Sequence, residues 1–358
     1  MRNTIKQLDY SGQNIYIGLD THLRSWKTTI RVGDTYFKTF SQDPSAKILF
    51  EYLKRNFPMA NYFSAYEASF SGFSAHRELT KLGIKNIVVN PADIPTTDKD
   101  RKQKEDARDS RKIAEHLSSS SLQGIYVPSI EVEGDRALQR FRKVLSKEIG
   151  RNKNRVKSFL YYHGISIPPQ FTDKSYWSKR FTVWLQEVAL PTKSARTTLS
   201  SIIEIVTFLR QKQYQTLKSI KELSQTKGYK ENVDLLLSVP GIGLITAMTI
   251  LTEIQDISRF KTLDKLCSFI GLVPMTNSSG EKESVGGITH RQNKALRSLI
   301  VESSWVAIRN DPALMLAYQE LIKRMKPTRA IIKISKKLVN RIRYVLKNKK
   351  LYVSAVVQ

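Results

Sequence analysis

The sequence has almost none of the residues and segments that crosslink a chain or anchor it in a membrane. Cys267 is the one cysteine among 358 residues, so an intramolecular disulfide and a cysteine-rich zinc site are excluded. No run approaches the roughly 18 to 20 uninterrupted apolar residues of a membrane span, and residues 1–14 lack the apolar core of a signal peptide. We therefore expect a protein that stays in the cytoplasm, without membrane contact.

Acidic residues are scarce relative to basic ones. The chain has 59 Lys and Arg against 32 Asp and Glu, a formal net charge of +27. This excess predicts a polyanionic partner, because lysine and arginine neutralise phosphates and release their counterions. Residues 321–350 hold twelve basic residues and no acid, and residues 141–160 hold seven and one. We interpret both segments as nucleic-acid contacts, although a solvated helix face explains 141–160 equally well.

The hydrophobic pattern divides the chain into three regions. Residues 1–128 alternate short apolar strands with helix-period segments in the order βββαβαβα, which predicts a mixed sheet flanked by helices. Residues 129–230 form long amphipathic stretches, predicted as a helical, coiled-coil insert. Residues 231–358 are predicted to be helical and punctuated by glycine through Asn293. The fold class is therefore α/β plus all-α.

Four of the scarce acids fall at related places in the first region. Asp20 ends the first predicted strand, and Glu67 lies on the fourth, which neighbours the first in such a sheet. Asp106 and Asp109 are three residues apart on a predicted helix and so share a face. Carboxylate oxygens suit Mg²⁺ or Mn²⁺, and four acids can hold two ions about 3.5 to 4 Å apart. Each acid alone is interpreted as an exposed surface group, but the four acids together predict a metal site. His22, two residues beyond Asp20, is either a group that supports the metal ligands or an ordinary surface histidine, and the sequence favours the second.

A turn in the third region resembles the helix-hairpin-helix motif. The segment Ser238-Val239-Pro240-Gly241-Ile242-Gly243 lies between two apolar helical stretches. In such a motif the backbone N–H groups around Gly241 and Gly243 bind a phosphate without reading sequence. The alternative is a glycine-rich turn between packed helices.

A second loop carries a candidate nucleophile. Ser279 directly precedes Gly280, and Lys282, Arg291 and Arg297 follow it. A serine in such surroundings is suited to attack a phosphodiester, with the cations stabilising the developing charge. A Ser-Gly pair is also a common turn, so the residues alone leave both interpretations open.

The order of these motifs resembles one family along nearly the whole chain. The Gly-Leu-Asp strand, Glu67, the Asp-Ala-Arg-Asp helix, the Pro-Gly-Ile-Gly turn and the Gly-Leu-Val-Pro, Ser-Ser-Gly and Gly-Gly-Ile-Thr series are similar to DEDD-type insertion-sequence transposases related to the Piv DNA invertase. These are bridge-RNA-guided recombinases. The chain departs from the family pattern around the helix, where Glu105 precedes the first aspartate and Ser110 follows the second.

The resemblance implies a RuvC-like (RNase-H-like) domain over 1–128, a coiled-coil insert over 129–230 and a transposase domain with helix-hairpin-helix and serine loop over 231–358. Asp20, Glu67, Asp106 and Asp109 would bind Mg²⁺ or Mn²⁺, and Ser279, with Ser278 as the fallback, would be the nucleophile. It also implies double-stranded donor and target DNA, a structured noncoding guide RNA, a homodimer or homotetramer joining the two half-sites between protomers, and a nucleoid-associated location in bacteria or archaea.

Two other functions fit the same residues. A metal-dependent nuclease or Holliday-junction resolvase would use the four acids with water and need no serine. A non-enzymatic nucleic-acid-binding scaffold with a decayed acidic site would explain the charge, but the retained spacing of all four acids argues against it.

Overall fold

The computed structural model describes residues 9–95, 106–171, 177–279 and 282–354, which fold into two units, residues 1–128 and 129–358. The first unit is built on a five-stranded sheet of order β3-β2-β1-β4-β5. The central strand β1 pairs antiparallel with β2 and parallel with β4, so the sheet is mixed, as predicted. Its strands are β1 Asn14–Thr21, β2 Trp26–Val32, β3 Thr35–Gln42, β4 Asn61–Glu67 and β5 Lys85–Val89.

Helices cover both faces of this sheet. They are α1 Ala46–Asn56, α2 Ser74–Lys81 and, within the described residues, α3 Asp106–Ser118. Strand β1 alternates, so that Ile15, Ile17 and Leu19 pack into one core with α1 and α2. The other face meets α3, whose Ile113 packs with Ala65 of β4. The first unit is therefore a three-layer α/β/α arrangement with α3 alone, among these three helices, on its second face.

A glycine in β1 allows α3 to lie close to the sheet. A Cβ atom on Gly18 would lie 2.1 Å from the Ser110 carbonyl oxygen and 2.5 Å from the Ala114 nitrogen, and both are backbone atoms that cannot swing away. The hydroxyls of Thr29 and Ser110 are 2.9 Å apart and fix the same contact from β2. These contacts set the height of the first turn of α3 above the sheet.

The second unit is mainly helical. Its helices are α4 Ile130–Tyr162, α5 Lys179–Glu187, α6 Lys193–Ser224, α7 Lys230–Leu237, α8 Leu244–Ile254, α9 Leu263–Ile270, α10 Lys294–Asn310, α11 Pro312–Ile322 and α12 Pro327–Asn348. The two long helices α4 and α6 pack against each other, and α5 closes a small core over one end of them. The larger core lies among α7 to α12. Within the described ranges, no helix has both the length and the apolarity needed to cross a membrane.

The prediction that the third region is helical through Asn293 was wrong. Strands β6 Pro274–Ser279 and β7 Lys282–Ile288 form an antiparallel hairpin that separates α9 from α10. The segment is rich in Asn, Ser and Gly, which have low strand propensity, so its sequence resembles a loop. We call this two-stranded element the serine hairpin, because Ser278 and Ser279 end its first strand.

Candidate metal centre and serine hairpin

Two of the four predicted acids lie at the ends of neighbouring strands. The parallel register of β1 and β4 pairs Gly18 with Ala65 and Leu19 with Tyr66, so Asp20 and Glu67 are the next residues on each strand. Residues in register point to the same face of a sheet. That face is the one covered by α3, because Gly18, two residues before Asp20, contacts the backbone of that helix.

Helix α3 carries the other two acids and brings Asp106 close to Asp20. Asp106 and Asp109 lie in its first turn among the described residues. A carboxylate oxygen of Asp20, one of Asp106 and a ring nitrogen of His22 all lie within 4.8 Å of one another. Glu67 and Asp109 do not belong to that three-residue group in the described part of the chain. We call the five residues together the acidic cluster.

His22 holds the two nearest carboxylates together. Its Nε2 atom lies 3.1 Å from Asp20 Oδ2 and 3.4 Å from Asp106 Oδ2. The sequence left His22 either as a group that supports the metal ligands or as an ordinary surface histidine and favoured the second, whereas these contacts favour the first. The signal was its position two residues after Asp20, because side chains two apart at the end of a strand point to the same side.

The electrostatics of the acidic cluster favour a bound cation. Burial raises the pKa of Asp20, the nearby His22 opposes that increase, and the charges of Asp106 and Asp109 add to it. Like charges gathered in this way repel one another unless a cation lies between them. Carboxylate oxygens are the ligands that hard divalent cations prefer. The residues therefore fit a divalent metal ion.

The serine hairpin is held at its base. Strand register pairs Ser279 with Lys282, but the side chains of residues 276–285 lie outside the described part of the structure. At the base, Arg297 Nη1 donates to the carbonyl oxygens of Gly271 at 3.1 Å and Thr289 at 2.7 Å. Predicted to bind nucleic acid, Arg297 thus also ties the start of α10 to the hairpin. Arg291 is exposed beside it.

A buried glutamate, which the sequence interpretation missed, connects the insert to this base. Glu253 of α8 is 3% exposed. Arg140 of α4 reaches both of its carboxylate oxygens, at 2.9 and 3.1 Å, and Asn293 Nδ2 donates to it at 2.9 Å. Asn293 also caps α10 by accepting from the Ala295 and Leu296 nitrogens. Glu253 therefore joins α4, α8 and the residues that follow the serine hairpin.

The two glycines of the Pro-Gly-Ile-Gly turn have different surroundings. Gly241 has a φ of +86°, and a Cβ there would lie 2.4 Å from the Ser303 carbonyl oxygen of α10. Gly243 is the residue before α8, and a Cβ there would meet nothing within 4 Å. Gly241 is thus needed for packing, whereas Gly243 borders open space at a helix N-terminus, where N–H groups lack intrahelical partners.

Comparison with known proteins gives the same family for both units. The family model described as DEDD transposase IS110 matches residues 37–163, a segment that includes Glu67, Asp106 and Asp109. The model described as transposase IS116/IS110/IS902 family matches residues 233–319, which includes Ser279 and both turn glycines. Asp20 and His22 precede the first matched segment.

Curated relatives agree with these matches. A putative transposase of Sinorhizobium fredii is 31% identical over 68% of this chain and 58% of its own length. The transposase for insertion sequence element IS1533 of Leptospira borgpetersenii is 29% identical over 68% of this chain and 70% of its own. The transposase for insertion sequence element IS1111A of Coxiella burnetii is 25% identical, over 73% and 71%. The chain thus aligns to less than two thirds of the first of these relatives.

Proposed function

Because the chain belongs to the IS116/IS110/IS902 transposase family, we propose that it cuts and rejoins DNA for an insertion sequence through a covalent phosphoserine intermediate. The observation that carries the proposal is the approach of Asp20 of β1 to Asp106 of α3, with Glu67 at the end of the neighbouring strand β4. A cluster of like charges, drawn together by His22, needs a cation and offers a place for a phosphate. The basic surplus of the chain suits DNA as the source of that phosphate.

The proposed chemistry divides between the acidic cluster and the serine hairpin. The Ser279 oxygen forms a bond to a DNA phosphorus, one P–O bond of the strand breaks, and the proton lost by the serine ends on the departing oxygen, which leaves as a DNA hydroxyl. A hydroxyl of the other duplex then attacks the phosphoserine and returns the serine. The divalent ion at the acids supplies charge stabilisation at the phosphate. Lys282, Arg291 and the amides around Gly243 bind the flanking DNA backbone.

The partners belong to the same proposal. A structured noncoding RNA selects donor and target DNA by base pairing, and the protein contacts backbone and shape, as in other RNA-guided effectors. The basic segments 141–160 and 321–350 bind the nucleic acids. The acids of one protomer act with the serine of another in a homodimer or homotetramer, on the bacterial or archaeal nucleoid.

Trapping the covalent intermediate tests the proposal. The full chain is incubated with Mg²⁺, its element's RNA and DNA ends labelled on the strand, and the protein–DNA adduct is resolved under denaturing conditions. We expect Ser279→Ala to abolish the adduct and Asp20→Asn to reduce it at least a hundredfold. Ser278→Ala, which changes the neighbouring serine, is the matched control and should retain it.

A metal-dependent nuclease is the second candidate. The acidic cluster favours this function, because hydrolysis by metal-activated water needs no serine. Such an enzyme would keep cutting after Ser279→Ala. If that variant cleaves the labelled strand without forming an adduct, the nuclease mechanism is correct and the phosphoserine mechanism is wrong. Nucleic-acid binding without any strand cleavage, together with function that Asp20→Asn does not change, would contradict both and leave the non-enzymatic scaffold.

A further inference from the structure

Two loops at the acidic cluster each hold a large apolar side chain in water. Leu23 lies at the tip of the β1–β2 hairpin, just after His22, and is 80% exposed. Phe70 lies in the loop that follows Glu67 and is 70% exposed. Exposed apolar side chains scattered singly are ordinary. These two differ because both follow a strand that ends in a candidate metal ligand.

The loop that carries Phe70 is well fixed. The Tyr66 hydroxyl donates to the Gly72 carbonyl oxygen at 2.8 Å, and the Gly72 nitrogen donates to Ser69 at 3.3 Å. The hydroxyls of Ser69 and Ser71 are 3.0 Å apart. Because the backbone and the serines on both sides of Phe70 are bonded within the loop, the exposed phenyl ring is presented by an ordered turn.

A hydrogen bond joins this loop to the end of strand β1. The Thr21 and Ser71 hydroxyls are 3.0 Å apart. Thr21 directly follows Asp20, and Ser71 directly follows Phe70. The hydrogen bond ties the loop of Phe70 to the end of β1, on the face of the strand that carries Trp26 and not on that of Asp20. Phe70 lies three residues after Glu67, and Leu23 lies three residues after Asp20. Both apolar side chains therefore belong to loops that leave the same edge of the sheet as the two acids.

We propose that Phe70 and Leu23 form a base platform, on which a nucleobase next to the bound phosphate stacks after leaving the DNA duplex. The proposal rests on the proposed function, in that the acids hold a DNA phosphate, and adds a substrate preference to it. Aromatic rings bind bases of any sequence, since every base has a π-face. Exposed Arg24 beside Leu23 suits the neighbouring backbone phosphate.

The base platform predicts which DNA binds best at this site. Extruding a base is easiest where the base is unpaired or mismatched. We therefore expect the acidic cluster to prefer a strand with an unpaired nucleotide at the scissile position over a fully paired duplex. Loss of one stacked base weakens binding by about 5- to 150-fold.

Photocrosslinking of the full chain tests the base platform. The probes are a 20-nucleotide single strand and the matching duplex, both with 5-iodouracil in place of thymine, in Ca²⁺. Crosslinked peptides are located by mass spectrometry. We expect a crosslink at Phe70 that is stronger with the single strand and falls at least tenfold in Phe70→Ala. Phe208→Ala removes another exposed phenylalanine, on α6 and outside both basic segments, and should leave the Phe70 crosslink unchanged.

Two further measurements separate the possible failures. Mn²⁺ binding should be unchanged in Phe70→Ala and lost in Asp20→Asn; retained binding in Asp20→Asn would refute the proposed function itself. Normal metal binding with no crosslink at Phe70, or a Phe70 crosslink that Asp20→Asn does not weaken, would refute the base platform alone. A change in oligomeric state of Phe70→Ala in sedimentation without DNA would instead identify a contact between copies of the chain and overturn the inference.

Discussion

The two units surround their carboxylates differently. In the second unit Glu253 is bonded by groups of the chain, whereas in the first unit the acidic cluster gathers several carboxylates together. Glu253 is buried and receives hydrogen bonds from Arg140 and Asn293. Asp20 has other acids and one histidine around it, and its pKa is raised by burial and by those acids. A carboxylate whose bonding capacity is met within the chain stabilises the fold. A carboxylate whose charge is left in excess is available for a ligand.

The largest expected effect comes from the fully bonded carboxylate. Glu253→Gln leaves the largely buried Arg136, whose Nε lies 3.6 Å from Glu253 Oε2, and the more exposed Arg140 without their charge partner, at a cost of about 3 kcal/mol. This corresponds to a fall of roughly 6 to 12 °C in the melting temperature of a unit of this size. Differential scanning calorimetry of the full chain measures it. Glu148→Gln removes the exposed partner of Arg151 on α4 and should change the melting temperature by less than about 2 °C.

The next effect tests whether the height of α3 sets the acidic cluster. Gly18→Ala inserts a methyl group where the Ser110 carbonyl lies, so α3 must move, with a destabilisation of about 1 to 3 kcal/mol. Because Asp106 and Asp109 move with the helix, we expect Mn²⁺ binding to weaken more than tenfold in a titration. Gly134→Ala on α4, where a Cβ meets nothing within 4 Å, should instead stabilise by about 0.5 to 1 kcal/mol. Normal Mn²⁺ affinity in Gly18→Ala would show that α3 does not position the acids.

A third variant, unlike Glu253→Gln, should not lower the melting temperature. Asp20→Asn removes one of several repelling charges, so in the presence of chelator we expect the melting temperature to stay the same or rise by about 1 to 3 °C. We expect Mg²⁺ to raise the melting temperature of the unaltered chain, and this increase should be absent in Asp20→Asn. A large loss of stability in chelator would show that Asp20 is structural, as Glu253 is, and would end the contrast.

The smallest effect concerns His22, which the sequence favoured as an ordinary surface histidine. His22→Ala leaves the four acids in place and removes the group that holds Asp20 and Asp106 together. We expect Mn²⁺ affinity to fall by about tenfold, the lower end of the effect of groups that orient metal ligands. A loss as complete as that of Asp20→Asn would assign His22 as an indispensable ligand.

The elements of the first unit were predictable because its strands and helices have clear periods. The alternation of β1 and the shared face of Asp106 and Asp109 are local patterns, and they indicated which side chains meet. The serine hairpin was missed because its Asn, Ser and Gly residues have low strand propensity, so only pairing with a partner strand makes them a strand. The bonds of Glu253 were unpredictable for a similar reason, since Arg140 and Asn293 are distant in sequence and their approach depends on tertiary packing.

The roles of the turn glycines also needed the structure. The Pro-Gly-Ile-Gly pattern indicated two equivalent residues that expose their amides. Contact with α10 separates them, because Gly241 faces the Ser303 carbonyl and Gly243 faces open space. The sequence shows that both positions lack a side chain. Only the packing shows that one of them faces a helix and the other faces open space.

The position of the acids along the chain has a consequence during protein synthesis. Asp20 comes from the first strand, and Asp109 comes from the last helix of the first unit. A nascent chain on the ribosome can pair β1 with β2 early, but it cannot assemble the acidic cluster until α3 has emerged and docked on Gly18. Metal binding at these acids would therefore report a late step in the folding of this unit, because a half-made chain has strands but not yet the acidic cluster.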